Sequence, residues 1–167
     1  YVPEDRRLQG LFFQLGISEN ILIPVMPRLA HAGIRSLRAE RALTASRIRE
    51  FQVKAASAAA LPGSLSGGNQ QKLLIARWMS QDVKVLLLDE PTRGIDVGTK
   101  SEVYKLIRAA ADRRENPAAI ILVSSEMPEL LALSDRIIVL ADGALAGELT
   151  GQEMTQTNIL RRATSLA

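Results

Sequence analysis

The sequence predicts an α/β fold on three observations. A continuous aliphatic run, Val83 to Asp89, ends in paired carboxylates at Asp89 and Glu90; a glycine-opened helical stretch directly precedes it; and a second aliphatic run, Ile120 to Ser124, follows one helix later. Aliphatic strands alternating with helices of ten or more residues form the pattern of a sheet covered by helices. At 167 residues and 47% hydrophobic content, the chain is long enough to bury a substantial core.

The elements follow in order. Tyr1-Val2-Pro3 reads as the end of an extended segment, and the stretch 1–64 as mainly helical and irregular. Ser18 is expected to cap a short helix through Glu19, Asn20, Ile21 and Leu22, with Pro24 and Pro27 limiting its length. From Leu37 to Lys54 the apolar positions Leu37, Ala42, Leu43, Ile48 and Phe51 recur among charges at helical spacing. Ala55 to Ser64 is then a linker ending in Pro62-Gly63.

Beyond the linker the alternation begins. Asn69 to Met79 is expected as a helix, Val83 to Asp89 as a buried strand, Val97 to Arg113 as a helix and Ile120 to Ser124 as another buried strand. Met127 to Leu133 predicts a short helix, Arg136 to Leu140 a third strand, and Ala141-Asp142-Gly143 a turn into Ala144 to Leu149. Thr150 with Glu153 three residues later has the form of a capping box opening a last helix. Trp78, Met79, Tyr104 and Ile107 are expected to pack inward, and Phe12, Phe13 and Leu15 to favour the interior over an exposed groove.

Composition excludes several classes. With no cysteine there are no disulfides and no thiolate metal sites, and His31 alone builds no zinc site. No run approaches the roughly 18 apolar residues of a membrane-spanning helix. The net charge of +3 comes from the N-terminal third: residues 1–54 carry nine Lys/Arg against five Asp/Glu, the remainder twelve against thirteen. Arg38, Arg41, Arg47 and Arg49 are interleaved with Glu40 and Glu50, and aromatics are 4% of the chain, so a solvated helix face is the reading and a nucleic-acid surface is not.

Two motifs carry chemistry. A strand ending in Asp89-Glu90 presents carboxylates at its C-terminal edge, where ligands collect in parallel sheets; the pair suits a magnesium ion held through water by Asp89 and a water oriented or deprotonated by Glu90. The alternative is a strand that ends in a solvated acid. Leu65-Ser66-Gly67-Gly68 opens the preceding helix: glycines admit close approach, the helix start offers unpaired amides, and Ser66 adds a hydroxyl. Its alternative is a plain helix start capped by Ser66. The full string LSGGNQQK, one helix ahead of the carboxylate strand, favours an anion-binding end.

In that order the motifs carry a resemblance. LSGGNQQK resembles the signature motif of ABC-type ATPases, VLLLDE their Walker B strand and Arg93-Gly94-Ile95-Asp96 their D-loop. YVPEDR, GGNQQK, DEPTRGIDVG and VSSEMPE are similar to the second nucleotide-binding half of sugar-importer ATPases of the ribose and galactose type, over essentially the whole chain. The resemblance implies a P-loop NTPase-like ABC ATPase domain with a helical subdomain: 1–64 the end of the Q-loop region and the helical subdomain, 65–167 the signature helix, Walker B strand and C-terminal α/β part. No G-x-x-x-x-G-K-[ST] occurs, so the implied piece lacks the Walker A strand and loop and is expected to be inactive in isolation.

What the resemblance implies about the site is specific. ATP and Mg2+ are the implied ligands. Ser66, Gly67, Gly68, Gln71 and Asp96 would serve a nucleotide held in trans by an N-terminal nucleotide-binding half or a second ATPase subunit. Asp89 as the water-mediated magnesium residue and Glu90 as the catalytic residue would serve the other site. Glu4 stands where the Q-loop has glutamine, and Ser125 where the family has its switch histidine, so hydrolysis at the Glu90 site is expected to be slow or regulatory. The implied partners are membrane permease subunits and, indirectly, a solute-binding protein, with no nucleic acid; the implied place is the cytoplasmic face of the bacterial inner membrane. The rival readings are an interaction module bracing the membrane subunit, and a soluble ABC ATPase acting on DNA or ribosomes.

Overall fold

The computed structural model describes residues 1–31 and 34–164, without the side chain of His31. In chain order it contains helices α1 (Ile17–Leu22) and α2 (Met26–Leu29), strands β1 (Ala30–His31) and β2 (Ile34–Arg35), helices α3 (Leu37–Glu50) and α4 (Gly67–Trp78), strand β3 (Val85–Asp89), helix α5 (Val97–Ala111), strand β4 (Ala119–Val123), helix α6 (Met127–Leu133), strands β5 (Arg136–Ala141) and β6 (Ala144–Thr150), and helix α7 (Gln156–Thr164). They form two compact units, Tyr1–Ile121 and Leu122–Ala167.

The first unit is built on α4. Ser66 caps it, accepting from the Asn69 amide, and from Gly68 to Arg77 the side chains are buried except at Asn69. Leu73, Leu74, Ile75 and Ala76 are fully excluded from water and meet α1, α3 and α5. Burial of such a run is the main stabilising contribution, at about 25 cal/mol per Å² of apolar surface. Two cations are buried on the same helix. The Lys72 ammonium ion-pairs with Glu102 of α5 and donates to the Gln52 carbonyl at 3.4 Å, and the lysine holds the Glu102 carboxyl below its usual range. Arg77 donates to the Gly10 carbonyl at 2.7 Å and stacks 4.6 Å from the Phe12 ring and 5.2 Å from the Trp78 ring, so half-exposed Phe12 covers a guanidinium.

β3 pairs with β4, and on its other side Val2 bridges Leu88 in parallel, donating to the Leu87 carbonyl at 2.8 Å and accepting from the Asp89 amide at 3.0 Å. The extended reading of Tyr1-Val2-Pro3 is thus realised. Along β3 burial alternates: Leu86 and Leu88 are inside, while Val85 and Leu87 are 54% and 40% exposed. The strand expected to be buried on both faces is covered on one.

In the second unit β5 and β6 form an antiparallel hairpin with register from Arg136 against Thr150 to Ala141 against Ala144. Its turn places Asp142 and Gly143 at φ of 49° and 77°, the left-handed pair that a two-residue hairpin turn requires. Ile137, Val139, Leu149 and Ile159 form the core, with Met127, Leu130, Leu131, Ala146 and Met154 packed against it.

Several local expectations are corrected. Ser18 does not cap α1: the helix begins at Ile17 after Gly16, the Ile17 and Ser18 amides bond the linker carbonyls of Ala60 and Ala58, and the Ser18 hydroxyl meets Thr44 of α3 at 3.0 Å. The buried residues of α3 are Glu40 and Thr44, with Leu37 60% exposed, and Arg35 holds Glu40 through two bonds of 2.8 Å. Thr150 stays in β6; α7 starts after Thr155, whose hydroxyl accepts from the Asn158 amide at 3.2 Å. Among the described residues β5 pairs with β6 alone, and the short antiparallel β1–β2 pair had no sequence signal.

Candidate functional site

The candidate groups of the first unit come from three loops. The start of α4 presents exposed Ser66, whose hydroxyl also accepts from the Asn69 side-chain amide at 2.9 Å. Gly67 and Gly68 face different neighbours. A side chain at Gly67 would lie 2.8 Å from the Arg6 guanidinium and 3.4 Å from the Gly94 carbonyl, and one at Gly68 would overlap the Thr99 methyl of α5. Both glycines therefore have a packing reason within the chain, besides any ligand. Gln71 is 2% exposed, with its Nε2 buried and without a hydrogen-bond partner; it points inward while Ser66 faces out.

The second loop is the end of β3. Asp89 accepts a 2.9 Å bond on Oδ2 from the Tyr1 hydroxyl, and this bond raises the Tyr1 pKa. Glu90, half-buried, has φ of +46°, a left-handed conformation that costs a non-glycine residue about 1–2 kcal/mol. The turn after it holds the strain in place: the Arg93 amide donates to the Glu90 carbonyl at 3.1 Å, the Ile95 amide to Thr92 at 3.2 Å, and Thr92 is fully buried. Strain that persists under such support clusters at functional positions. Among the described residues no three His, Cys, Asp or Glu converge on a metal position. A strand-end carboxylate with one oxygen engaged fits a hard cation held chiefly by water and phosphate, and does not fit a protein cage.

The third loop is Arg93 to Asp96. The Arg93 side chain ion-pairs with Glu4. Asp96 caps α5, its Oδ1 accepting from the Thr99 amide at 2.9 Å and its two oxygens from the Thr99 hydroxyl at 3.0 and 2.8 Å; these bonds hold its pKa below the usual carboxylate value. In the second unit Ser125 is exposed, next to Ser124, whose hydroxyl accepts from the Glu126 amide at 3.0 Å.

The bonds from Tyr1 and Arg6 are the contacts the sequence did not signal. Tyr1 reaches a residue 88 positions away, and Arg6 reaches Gln70 and Arg93 at separations of 64 and 87.

Asp96, Glu40 and Glu102 all have lowered pKa values, led respectively by the Thr99 amide, the Arg35 hydrogen bond and the Lys72 hydrogen bond. A carboxyl whose folded pKa lies below its unfolded value stabilises the fold above the unfolded pKa, and that contribution is lost as pH falls through the folded one. Stability is expected to be level near neutral pH and to decline from about pH 4 downward. Asp96→Asn keeps a good capping side chain without a titrating group. In an acid titration followed by circular dichroism it should lower neutral-pH stability slightly, by the part of the cap that depends on the charge, and shallow the decline; an unaltered acid limb would show that Asp96 contributes nothing to it.

A family model described as ABC transporter matches residues 1–93. The ribose import ATP-binding protein RbsA 2 of Escherichia coli O157:H7 is 40% identical over 166 residues, 99% of this chain and 32% of its own length. The protein of the same name from Rhizobium meliloti is 43% identical over 166 residues, again 99% and 32%. The chain thus spans about a third of the length of these relatives. Among solved structures, the dimeric bacterial ABC transporter cassette MJ0796 matches with a TM-score of 0.71 at 25% identity, over 84% of this chain and 59% of that one. A post-hydrolysis state of the same cassette, bound to ADP and Pi, matches with a TM-score of 0.70 at 25% identity, over 86% and 60%.

Proposed function

Because the chain belongs to the ABC transporter family, we propose that it is the C-terminal part of the second nucleotide-binding domain of an ATP-binding subunit that energises import of a sugar or related small solute. Within it, 1–64 carries the end of the Q-loop region and the helical subdomain, and 65–167 the signature helix, the Asp89-Glu90 strand and the C-terminal α/β part. The observation that carries the reading is the pairing of an exposed, serine-capped α4 start with a strained carboxylate at the end of β3.

In this reading Ser66, Gly67 and Gly68 at the α4 start complete an ATP site whose phosphate loop belongs to another nucleotide-binding half or ATPase subunit. Asp96 shapes that surface by capping α5, and Gln71 acts from inside the helix. Asp89, hydrogen-bonded by Tyr1, holds Mg2+ through water, and Glu90 orients or deprotonates the attacking water of the second site. Magnesium, when bound, neutralises phosphate charge. Glu4, ion-paired with Arg93, stands at the position whose glutamine senses magnesium and the transporter, and Ser125 at the position whose histidine contacts the γ-phosphate; both substitutions support a slow or regulatory second site. The partners are membrane permease subunits and, through them, a solute-binding protein; the place is the cytoplasmic face of the bacterial inner membrane.

The experiment is a nucleotide titration of the complete protein, with and without Mg2+, beside the isolated chain. Saturable ATP binding and Mg2+-dependent turnover are expected of the complete protein, and no significant turnover of the chain alone, which has no phosphate-loop lysine motif. Steady-state hydrolysis by the isolated chain that disappears in Glu90→Gln would overturn this assignment.

A further inference from the structure

We propose that Arg6 is a positioning residue that clamps the start of α4 to the loop after Glu90, so that the Ser66 end and the carboxylate end of the chain move together. The proposal rests on the nucleotide reading above for its functional meaning and on the contacts of one guanidinium for its geometry. Arg6 Nε donates to Gln70 Oε1 at 3.2 Å, and Nη1 donates to the Arg93 carbonyl at 3.1 Å. Nη2 lies against Gly67, where any side chain would approach it to 2.8 Å, so the glycine is what lets the guanidinium seat on the helix start.

Each end of the clamp is itself fixed. Gln70 is buried, and its Nε2 donates to the carbonyls of Pro62 at 3.1 Å and Leu65 at 3.2 Å, which leaves Oε1 turned toward Arg6. Arg93 returns the contact, its side chain ion-pairing with Glu4 two residues before Arg6. Asp5 accepts from the Arg7 and Leu8 amides at 2.9 and 3.0 Å, anchoring the turn on which Arg6 sits. Partial burial lowers the Arg6 pKa, in keeping with a guanidinium drawn out of water. Only a planar fork spans both acceptors; an ammonium group is a single point of donation. Arg6 therefore acts through Gln70 and Arg93, and the loop that follows Glu90 cannot shift without pulling on the helix that begins at Ser66.

Hydrogen–deuterium exchange on the nucleotide-free complete protein decides the clamp, with Arg6→Lys and Arg6→Ala beside wild type. In Arg6→Lys the amides of Asn69, Gln70, Arg93 and Ile95 should exchange faster by about fivefold, one hydrogen bond's worth, while Val103 to Ala110 is unchanged. With saturating ATP the same variant should lose kcat by a similar factor with KM near wild type. Wild-type exchange in Arg6→Lys overturns the clamp, as does loosening of only one of the two segments. A general rise that includes Val103 to Ala110 also overturns it, since that would mark a merely structural role. Joint loosening in a protein whose wild type shows no ATP response overturns the nucleotide reading instead, and with it the clamp's part in turnover.

Discussion

Replacing Gly68 with alanine is expected to lower stability by about 2 kcal/mol, within the range for forcing a carbon into a closed contact. The corresponding fall in melting temperature is about 6 °C for a chain of this size. The new carbon would overlap the Thr99 methyl, and Thr99 has nowhere to go. Its hydroxyl is held by both Asp96 oxygens at 3.0 and 2.8 Å and its amide by Oδ1 at 2.9 Å, so turning the side chain would break the cap of α5. Thr99→Ser removes the obstructing methyl and keeps the hydroxyl, so the double variant Gly68→Ala/Thr99→Ser should regain most of the lost stability. A single variant that melts like wild type would mean that α4 and α5 can separate at no cost. The double variant also separates two needs for the glycine: if its fold is restored and its nucleotide response is not, the bare backbone without a side chain at Gly68 is required by the ligand as well as by the packing.

The second large effect concerns asymmetry between the two sites to which the chain contributes. Under the proposed function, Ser66→Asp in the complete protein should lower ATP turnover by about a hundredfold, the scale of losing a preorganised donor where charge develops. Glu90→Gln should lower it far less. Aspartate is as good a helix cap as serine, so the fold should melt within about 1 kcal/mol of wild type while a negative charge faces the phosphates. Steady-state hydrolysis at saturating ATP reads both variants. Comparable losses would sink the asymmetric reading, and a large loss in Glu90→Gln alone would invert it.

The parts of this molecule that the sequence announced are those whose cause is local. Ser66 before two glycines and a helical run produces a capped α4, and Asp142-Gly143 between alternating residues produces the β5–β6 turn. The Asp96 cap of α5 was not read from the sequence, although aspartate three residues ahead of Thr99 is a local signal of the same kind. Where two local solutions compete, position alone misleads. Ser18 has the chemistry of a cap, yet the helix already begins at Ile17, and the Ser18 hydroxyl turns to Thr44 of α3 instead. Thr150 has a glutamate three residues on, yet the hairpin keeps it in β6 and Thr155 takes the role. The α3 pattern set apolar positions from Leu37 to Phe51 at helical spacing, and Phe51 is buried while Leu37 is exposed and the Arg35–Glu40 pair buries a carboxylate. Contacts that depend on distant chain segments were not legible. Tyr1 with Asp89 and Arg6 with Gln70 and Arg93 are set by the topology that brings residues 1–6 beside β3 and α4, and no spacing rule encodes them.

The left-handed backbone at Glu90 has an evolutionary consequence. Glycine accepts a φ of +46° without penalty, so the backbone at this position favours a residue that carries no carboxylate. Selection on the backbone alone would favour glycine there. A lineage that keeps glutamate is one in which the acid group is under selection of its own, and the retention or loss of that residue across descendants would reveal which of them still use this end of the strand.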